Sequence, residues 1–340
     1  MEVIRAATGA DRRWLARARP LGDGAPPWAV AMYERSLLTL RALTDSRTGA
    51  VAAGARDGWA YVWPRDAGTA AIAYAAAGYR GEAVRAARFL LGAGIESAAR
   101  FHGDGSPVPG RGPQGDAIGW TGAASKASGL IRSARRSAHI LAGRYPVPWR
   151  ERPDYWEGEP GDYLGNAIAS GAWSFVRPIA RTKDQGRTGF EIFETPRGLV
   201  RRAGDPGSGL DPAAAWAVRP FSRPALYPEA RRTLNSLVAE GTRFGITPGA
   251  GWEGGVDPWT APTAWSAWTF AALARSAGSA QTARADRAQA LGLLADLRRA
   301  ATPAGALPER VDARTGVPTS TTPLAWSHAF TILTLRELWP

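Results

Sequence analysis

Cysteine is absent from the 340-residue chain, and histidine occurs only three times and methionine twice. Without a thiol there is no disulfide framework, no cysteine nucleophile and no thiolate-held metal. His102, His139 and His328 are too few and too dispersed for a His-built zinc site, and no acidic run has calcium-loop spacing. Lysine is nearly missing as well, being confined to Lys126 and Lys183. No stretch is long and apolar enough to span a membrane. Met1 to Leu21 carries five arginines but no continuous apolar segment of signal-peptide length. These absences set the expectation of a chain without cofactor or metal, with no membrane partner, and cytoplasmic by default. Nothing in the sequence speaks to oligomeric state.

What is present is arginine, alanine, glycine and tryptophan. The formal charge of +12 would favour nucleic acid if the cations were clustered. They are scattered instead: Arg135-Arg136, Arg201-Arg202, Arg231-Arg232 and Arg298-Arg299 are isolated doublets without interleaved aromatics, which argues against a nucleic-acid partner. With 45% hydrophobic residues the chain can bury one large core or two modest ones.

Helical periodicity recurs between Gly- and Pro-rich loops. Tyr33, Leu37 and Leu40 share a face after Pro26-Pro27, and the segments Gly68 to Ala77 and Gly81 to Leu91 form an Ala-rich pair. Further helices are expected over Ala123 to Ala142, Tyr163 to Ala180, Pro228 to Glu240, Thr260 to Ala274, Asp286 to Arg299 and Pro323 to Leu338. The best strand candidates are short, Phe190 to Phe193 and Leu199 to Arg201. Strand and helix do not alternate, so the fold class is all-α.

Two stretches place a carboxylate between proline and apolar neighbours instead of on a charged helix face. They are Arg152-Pro153-Asp154-Tyr155-Trp156-Glu157 and Leu307-Pro308-Glu309-Arg310-Val311-Asp312. Glycosidic hydrolysis needs two carboxyl groups in different environments, one protonated and one ionised. Taken singly, Glu157 reads as an ordinary loop carboxylate and Glu309 as a surface ion pair with Arg310. Tyr61-Val62-Trp63-Pro64-Arg65-Asp66-Ala67 joins an aromatic platform to a guanidinium and a carboxylate, which suits a sugar's apolar face and hydroxyls. The same residues also fit a helix start, with Pro64 in the first turn and Asp66 facing the dipole.

With Gly255-Val256-Asp257-Pro258-Trp259 and Pro323-Leu324-Ala325-Trp326-Ser327-His328-Ala329, these stretches, in this order, resemble the glucoamylase family of glycoside hydrolases, which also includes glucodextranases and some trehalases. The resemblance covers about residues 28 to 338. It implies an (α/α)6 barrel of the six-hairpin glycosidase type, with few short strands in loops and a pocket at one end. A single catalytic barrel would occupy 28–340, preceded by an N-terminal extension, 1–27, poorly ordered or peripheral.

The same resemblance implies roles. Glu157 would be the general acid, its charged form disfavoured by Tyr155 and Trp156, and Glu309 the general base, oriented by a hydrogen bond from Ser327. Trp63, Arg65 and Asp66 would grip the terminal glucose, with Trp156 as a further substrate contact and Trp259 at the pocket mouth. Asp116 resembles a family segment in a supporting role. Two departures stand out: Gly158 where some members carry a second acid, and no arginine shortly before the Trp259 loop, where Arg243 could stand in. The implied activity is inverting, exo-acting release of glucose from malto- or isomalto-oligosaccharides or an α-glucan. Trehalose hydrolysis and a non-catalytic carbohydrate-binding barrel are the alternatives.

Overall fold

The computed structural model describes residues 2–56, 58–133, 149–170, 189–249 and 255–340. Ten α-helices lie among them: α1 (Glu2–Leu15), α2 (Pro27–Ala42), α3 (Pro64–Ala76), α4 (Arg80–Gly92), α5 (Ala117–Ala127), α6 (Leu164–Ser170), α7 (Tyr227–Glu240), α8 (Thr260–Arg275), α9 (Ala280–Ala300) and α10 (Ala325–Leu338). One small antiparallel sheet, β1 (Glu194–Thr195), β2 (Gly198–Arg202) and β3 (Asp205–Leu210), is ordered as in the chain.

The helices are of two kinds, and the difference sets the layers. In α8 every residue from Thr260 to Leu273 is buried, and α10 is buried almost as completely. A helix with no polar face has to be covered on all sides. By contrast α9 buries Leu293, Leu294 and Leu297 while turning Arg284, Arg298 and Arg299 outward, and α7 buries Ala230, Leu234 and Leu237 beneath a charged face.

Packing closes the buried helices into a ring. α3 lies against α5, α5 against α6, α6 against the 3-10 segment Pro212–Ala217, that segment against α8, α8 against α10, and α10 back against α3. Outside it, α2 covers α10, α4 covers α3 and α5, α7 covers the 3-10 segment, and α9 covers α8. This is an (α/α)6 barrel in which a six-residue 3-10 segment takes one inner place. Asp211 caps that segment by accepting the N–H of Ala213 at 2.9 Å. Gly119 lets α5 approach α6 closely, since a Cβ there would overlap the backbone of Ala169.

The core within the ring is aromatic. The Tyr155 ring meets Trp216 at 5.2 Å, Trp265 at 5.7 Å and Trp326 at 6.5 Å, and Trp265 meets Trp326 at 5.2 Å. Trp265 and Trp268 are core residues, both buried.

Within the stretch expected as an N-terminal extension, α1 is anchored through Trp14, which is buried, stacks on Tyr79 at 4.0 Å, and whose carbonyl accepts the Tyr79 hydroxyl at 2.9 Å. The strand expected over Phe190 to Phe193 is instead a 3-10 turn, Glu191–Phe193, that buries the Phe193 ring. The helices expected over Ala123 to Ala142 and Tyr163 to Ala180 run beyond 133 and 170, outside the described residues, as do His139 and Lys183. Among the described residues no helix is long and apolar enough to cross a membrane.

Candidate active site

A cavity of about 960 Å³ opens where the loops entering α3, α5, α6, α8 and α10 converge. The inner helices therefore point their N-termini at it. Trp63, Arg65, Asp66, Trp156, Glu157, Trp259 and Glu309, drawn from four of these loops, all line it.

Glu309 is held by its backbone and by its carboxylate. Its N–H donates to the Thr321 carbonyl at 2.9 Å, and its own carbonyl accepts the N–H of Thr260 at 3.0 Å. Trp259 and Arg310 form an antiparallel bridge beside it, which seats the Trp259 loop on the Glu309 loop. At the carboxylate, Trp59 Nε1 donates to Oε1 at 3.1 Å and the Ser320 hydroxyl donates to Oε2. Burial raises the pKa of Glu309, opposed by the bonds from Ser320 and Trp59 and by the charges of Arg310 and Arg65.

Ser327 does not orient this carboxylate. It is fully buried in the first turn of α10, away from the cavity lining, and its hydroxyl hydrogen-bonds that of Thr260 at 2.7 Å. Thr260 in turn donates to the Pro308 carbonyl. The influence of Ser327 on Glu309 thus passes through the backbone, and the direct hydroxyl donor is Ser320. His328 braces the same loop: Nε2 accepts the N–H of Leu307 at 2.9 Å and Nδ1 lies 3.0 Å from Ser36 Oγ. Burial pushes the pKa of His328 down to about 3, so the ring is neutral, as an accepting Nε2 requires.

Glu157 sits in a left-handed backbone conformation, φ 59°, uncommon for a residue with a side chain. Asp154 fixes the turn: its Oδ1 accepts the N–H of Trp156 at 3.1 Å, and its carboxylate takes Arg201 Nε at 2.7 Å and Nη2 at 2.9 Å. Arg201 also lies 3.9 Å over the Trp156 ring. The Glu157 carboxylate faces three donors, the Trp63 indole, Gln114 Nε2 at 3.2 Å and the Arg111 guanidinium. Tyr155 lines the same cavity, and its hydroxyl donates to Asp211 at 2.7 Å in the ring core.

Arg65 reaches Glu157 through Gln114. Its Nη1 donates to Gln114 Oε1 at 2.9 Å and to Asp116 Oδ2 at 3.0 Å, while Gln114 donates onward to Glu157. Its guanidinium lies 4.6 Å over the Trp326 ring. Asp66 touches Arg65 only at 3.9 Å, too long for a hydrogen bond. Burial pushes the pKa of Asp66 up to about 7; Arg65 opposes this, while Glu309 and Asp116 add to it. Asp66 is therefore close enough to Glu309 to feel its charge.

Arg243 does not reach the cavity: its Nη2 donates to the Arg314 carbonyl at 3.4 Å on the surface. The lining contains Arg100, Arg111, Arg152 and Arg310 instead. Trp59, Gln114, Ser320, Asp154 and Arg201 are further residues to which no role was assigned from the sequence. Gln114 stood two places before Asp116 and Asp154 three before Glu157, in stretches already singled out; Trp59, Ser320 and Arg201 offered no local signal.

The ring of helices and the cavity at their N-termini define a glucoamylase-like (α/α)6 barrel. Among solved structures, a glycosidase in complex with glucose is similar with TM-score 0.72 and 19% identity over 93% of this chain and 99% of that one. A bacterial glucoamylase complexed with acarbose gives 0.72 and 18% over 96% of this chain and 57% of that one. The glucoamylase of Saccharomycopsis fibuligera gives 0.73 and 13% over 94% and 97%. No protein-family model and no curated protein matches the sequence. At these identities the likeness establishes the fold.

Proposed function

We propose that the protein is an inverting glycoside hydrolase that releases glucose from the non-reducing end of α-linked gluco-oligosaccharides. One observation carries this reading: Glu157 and Glu309 line a single cavity with separate sets of donors, and Arg65 is bonded through Gln114 to the first while its charge acts on the second. Asp66 and Arg65 offer a buried charged pair for the hydroxyls of a terminal sugar, and Trp63, Trp156 and Trp259 offer apolar faces. The sugar ligands of the glucose- and acarbose-bound neighbours agree with such an occupant.

In the reaction Glu157 delivers its proton to the glycosidic oxygen as the bond from that oxygen to C1 breaks. Glu309 takes a proton from the water whose oxygen bonds C1 on the opposite face. Room for that water requires the carboxyl groups to stand roughly 6.5–9.5 Å apart. Trehalose hydrolysis would use the same two carboxylates.

Incubation with maltose, maltotriose, isomaltose, trehalose and dextran tests the reading, with glucose release from at least one expected. The contact of Arg111 with Glu157 favours one other reading, a barrel that binds carbohydrate without turnover, because that guanidinium occupies the oxygen a general acid needs for its proton. Saturable sugar binding with no glucose from any of the five would support it.

A further inference from the structure

The cavity is lined by five arginines, Arg65, Arg100, Arg111, Arg152 and Arg310, against four carboxylates, Asp66, Glu151, Glu157 and Glu309. Arg65 is committed deep in the pocket to Asp116 and Gln114. Arg100 is differently placed: its guanidinium lies over the rings of Tyr61 at 4.9 Å and Trp63 at 5.6 Å, and no carboxylate among the described residues pairs with it. Arg111 lines the same cavity and contacts Glu157, the carboxylate that also takes the Trp63 indole N–H; burial, with the charge of Arg100 adding to it, lowers the pKa of Arg111. Two like charges held together at a cavity, with Glu157 in contact with only one of them, make a place where an anion is favoured.

Their position says which part of a ligand they would meet. Trp63 carries Arg100 on its face and donates its indole N–H to Glu157, so Arg100 and Arg111 both flank the acid. The pair Arg65 and Asp66 is buried in the first turn of α3. A general acid adjoins the leaving group.

We propose that Arg100 and Arg111 form an anion-binding subsite for the leaving-group half of the substrate, so that the protein takes α-glucosides whose leaving group carries a phosphate ester or a carboxylate. The assignment of the leaving-group side rests on the hydrolase reading above. An anionic leaving group also resolves the conflict at Glu157. Its charge offers Arg111 a bidentate partner and draws the guanidinium off the carboxylate, freeing the oxygen that must hold the proton. A neutral leaving group leaves the pair in place.

Calorimetric titration of the full chain with glucose, glucose 6-phosphate and glucuronate tests the subsite without needing turnover. At least one anionic sugar should bind about tenfold or more tightly than glucose, and the advantage should shrink as salt rises. A phosphate ester is the natural group if glucose 6-phosphate leads, a carboxylate if glucuronate leads. Arg100→Gln and Arg111→Gln should each remove the advantage, Arg100→Lys should keep part of it, and thermal melts check that all three fold. Equal binding of the three sugars by the parent chain, or an advantage untouched by both glutamine variants, overturns the proposal. Hydrolysis of neutral maltose without any anionic preference would sink the subsite and leave the hydrolase reading standing. Tight anionic-sugar binding with no hydrolysis of any glucoside, phosphorylated ones included, would sink the hydrolase reading and keep the anion subsite.

Discussion

Trp59 and Trp63 stand on one loop and each donates its indole N–H to a different glutamate, Trp59 to Glu309 at 3.1 Å and Trp63 to Glu157. One segment before α3 therefore sets both carboxylates, and loss of either indole should affect one of them selectively. The Trp59 bond is among the contacts that hold down a Glu309 pKa already raised by burial. In Trp59→Phe that pKa should rise further. Because a base works only when ionised, the acidic limb of the kcat/KM profile should move to higher pH. Trp63→Phe should lower kcat while leaving that limb in place. A profile unmoved in Trp59→Phe would remove Trp59 from the site.

Replacing Glu157 or Glu309 by glutamine keeps shape and abolishes proton transfer. Each change should reduce turnover of the best substrate at least on the order of a hundredfold, with binding largely retained. Near-normal rates in both variants would show that the chemistry lies elsewhere.

Glu157, Glu309 and the Trp63 to Asp66 segment could be singled out in the sequence because the stretches that carry them resemble one family in order; taken singly, each glutamate reads as an ordinary carboxylate. Their partners could not be singled out. Trp59 and Glu309 are 250 positions apart and meet only when the ring closes from α10 onto α3. Ser320 and Ser327 look equally able to bond Glu309 in sequence; the burial of Ser327 against Thr260 decides between them. The sequence itself showed many helices, and the ring was what the family resemblance implied. The place of the 3-10 segment Pro212–Ala217 in the ring is set by packing against α6, α7 and α8.

The salt bridge between Arg201 and Asp154 pins the turn that carries Trp156 and Glu157. Asp154 is fully buried, so Arg201→Gln strands a carboxylate in the interior. A loss of about 3 kcal/mol in denaturant stability is expected, together with reduced turnover. Stability changed by less than about 0.5 kcal/mol, as for an exposed pair, would mean that the bridge does not hold the loop.

Stability should depend on pH through His328. Its folded pKa, about 3, lies below its ordinary value of 6.5, so the unfolded chain binds the extra proton between the two. The contribution is complete above about pH 6.5 and is lost as pH falls, amounting to about 2 kcal/mol between pH 7 and 5. Asp66 works oppositely: with a folded pKa raised from 3.8 to about 7, it favours the folded state at low pH and loses that contribution as pH rises through the same window. Comparing urea denaturation of the parent chain with His328→Gln at pH 5, 6 and 7 separates the two. Stability curves that run parallel would show that His328 is not held neutral.

The configuration of the first sugar released tests the hydrolytic assignment most directly. If Glu309 activates water on the face opposite the leaving group, proton NMR in the first minutes of reaction with an α-linked substrate should show β-glucose ahead of mutarotation. Initial appearance of α-glucose would contradict the assignment of Glu157 as acid and Glu309 as base.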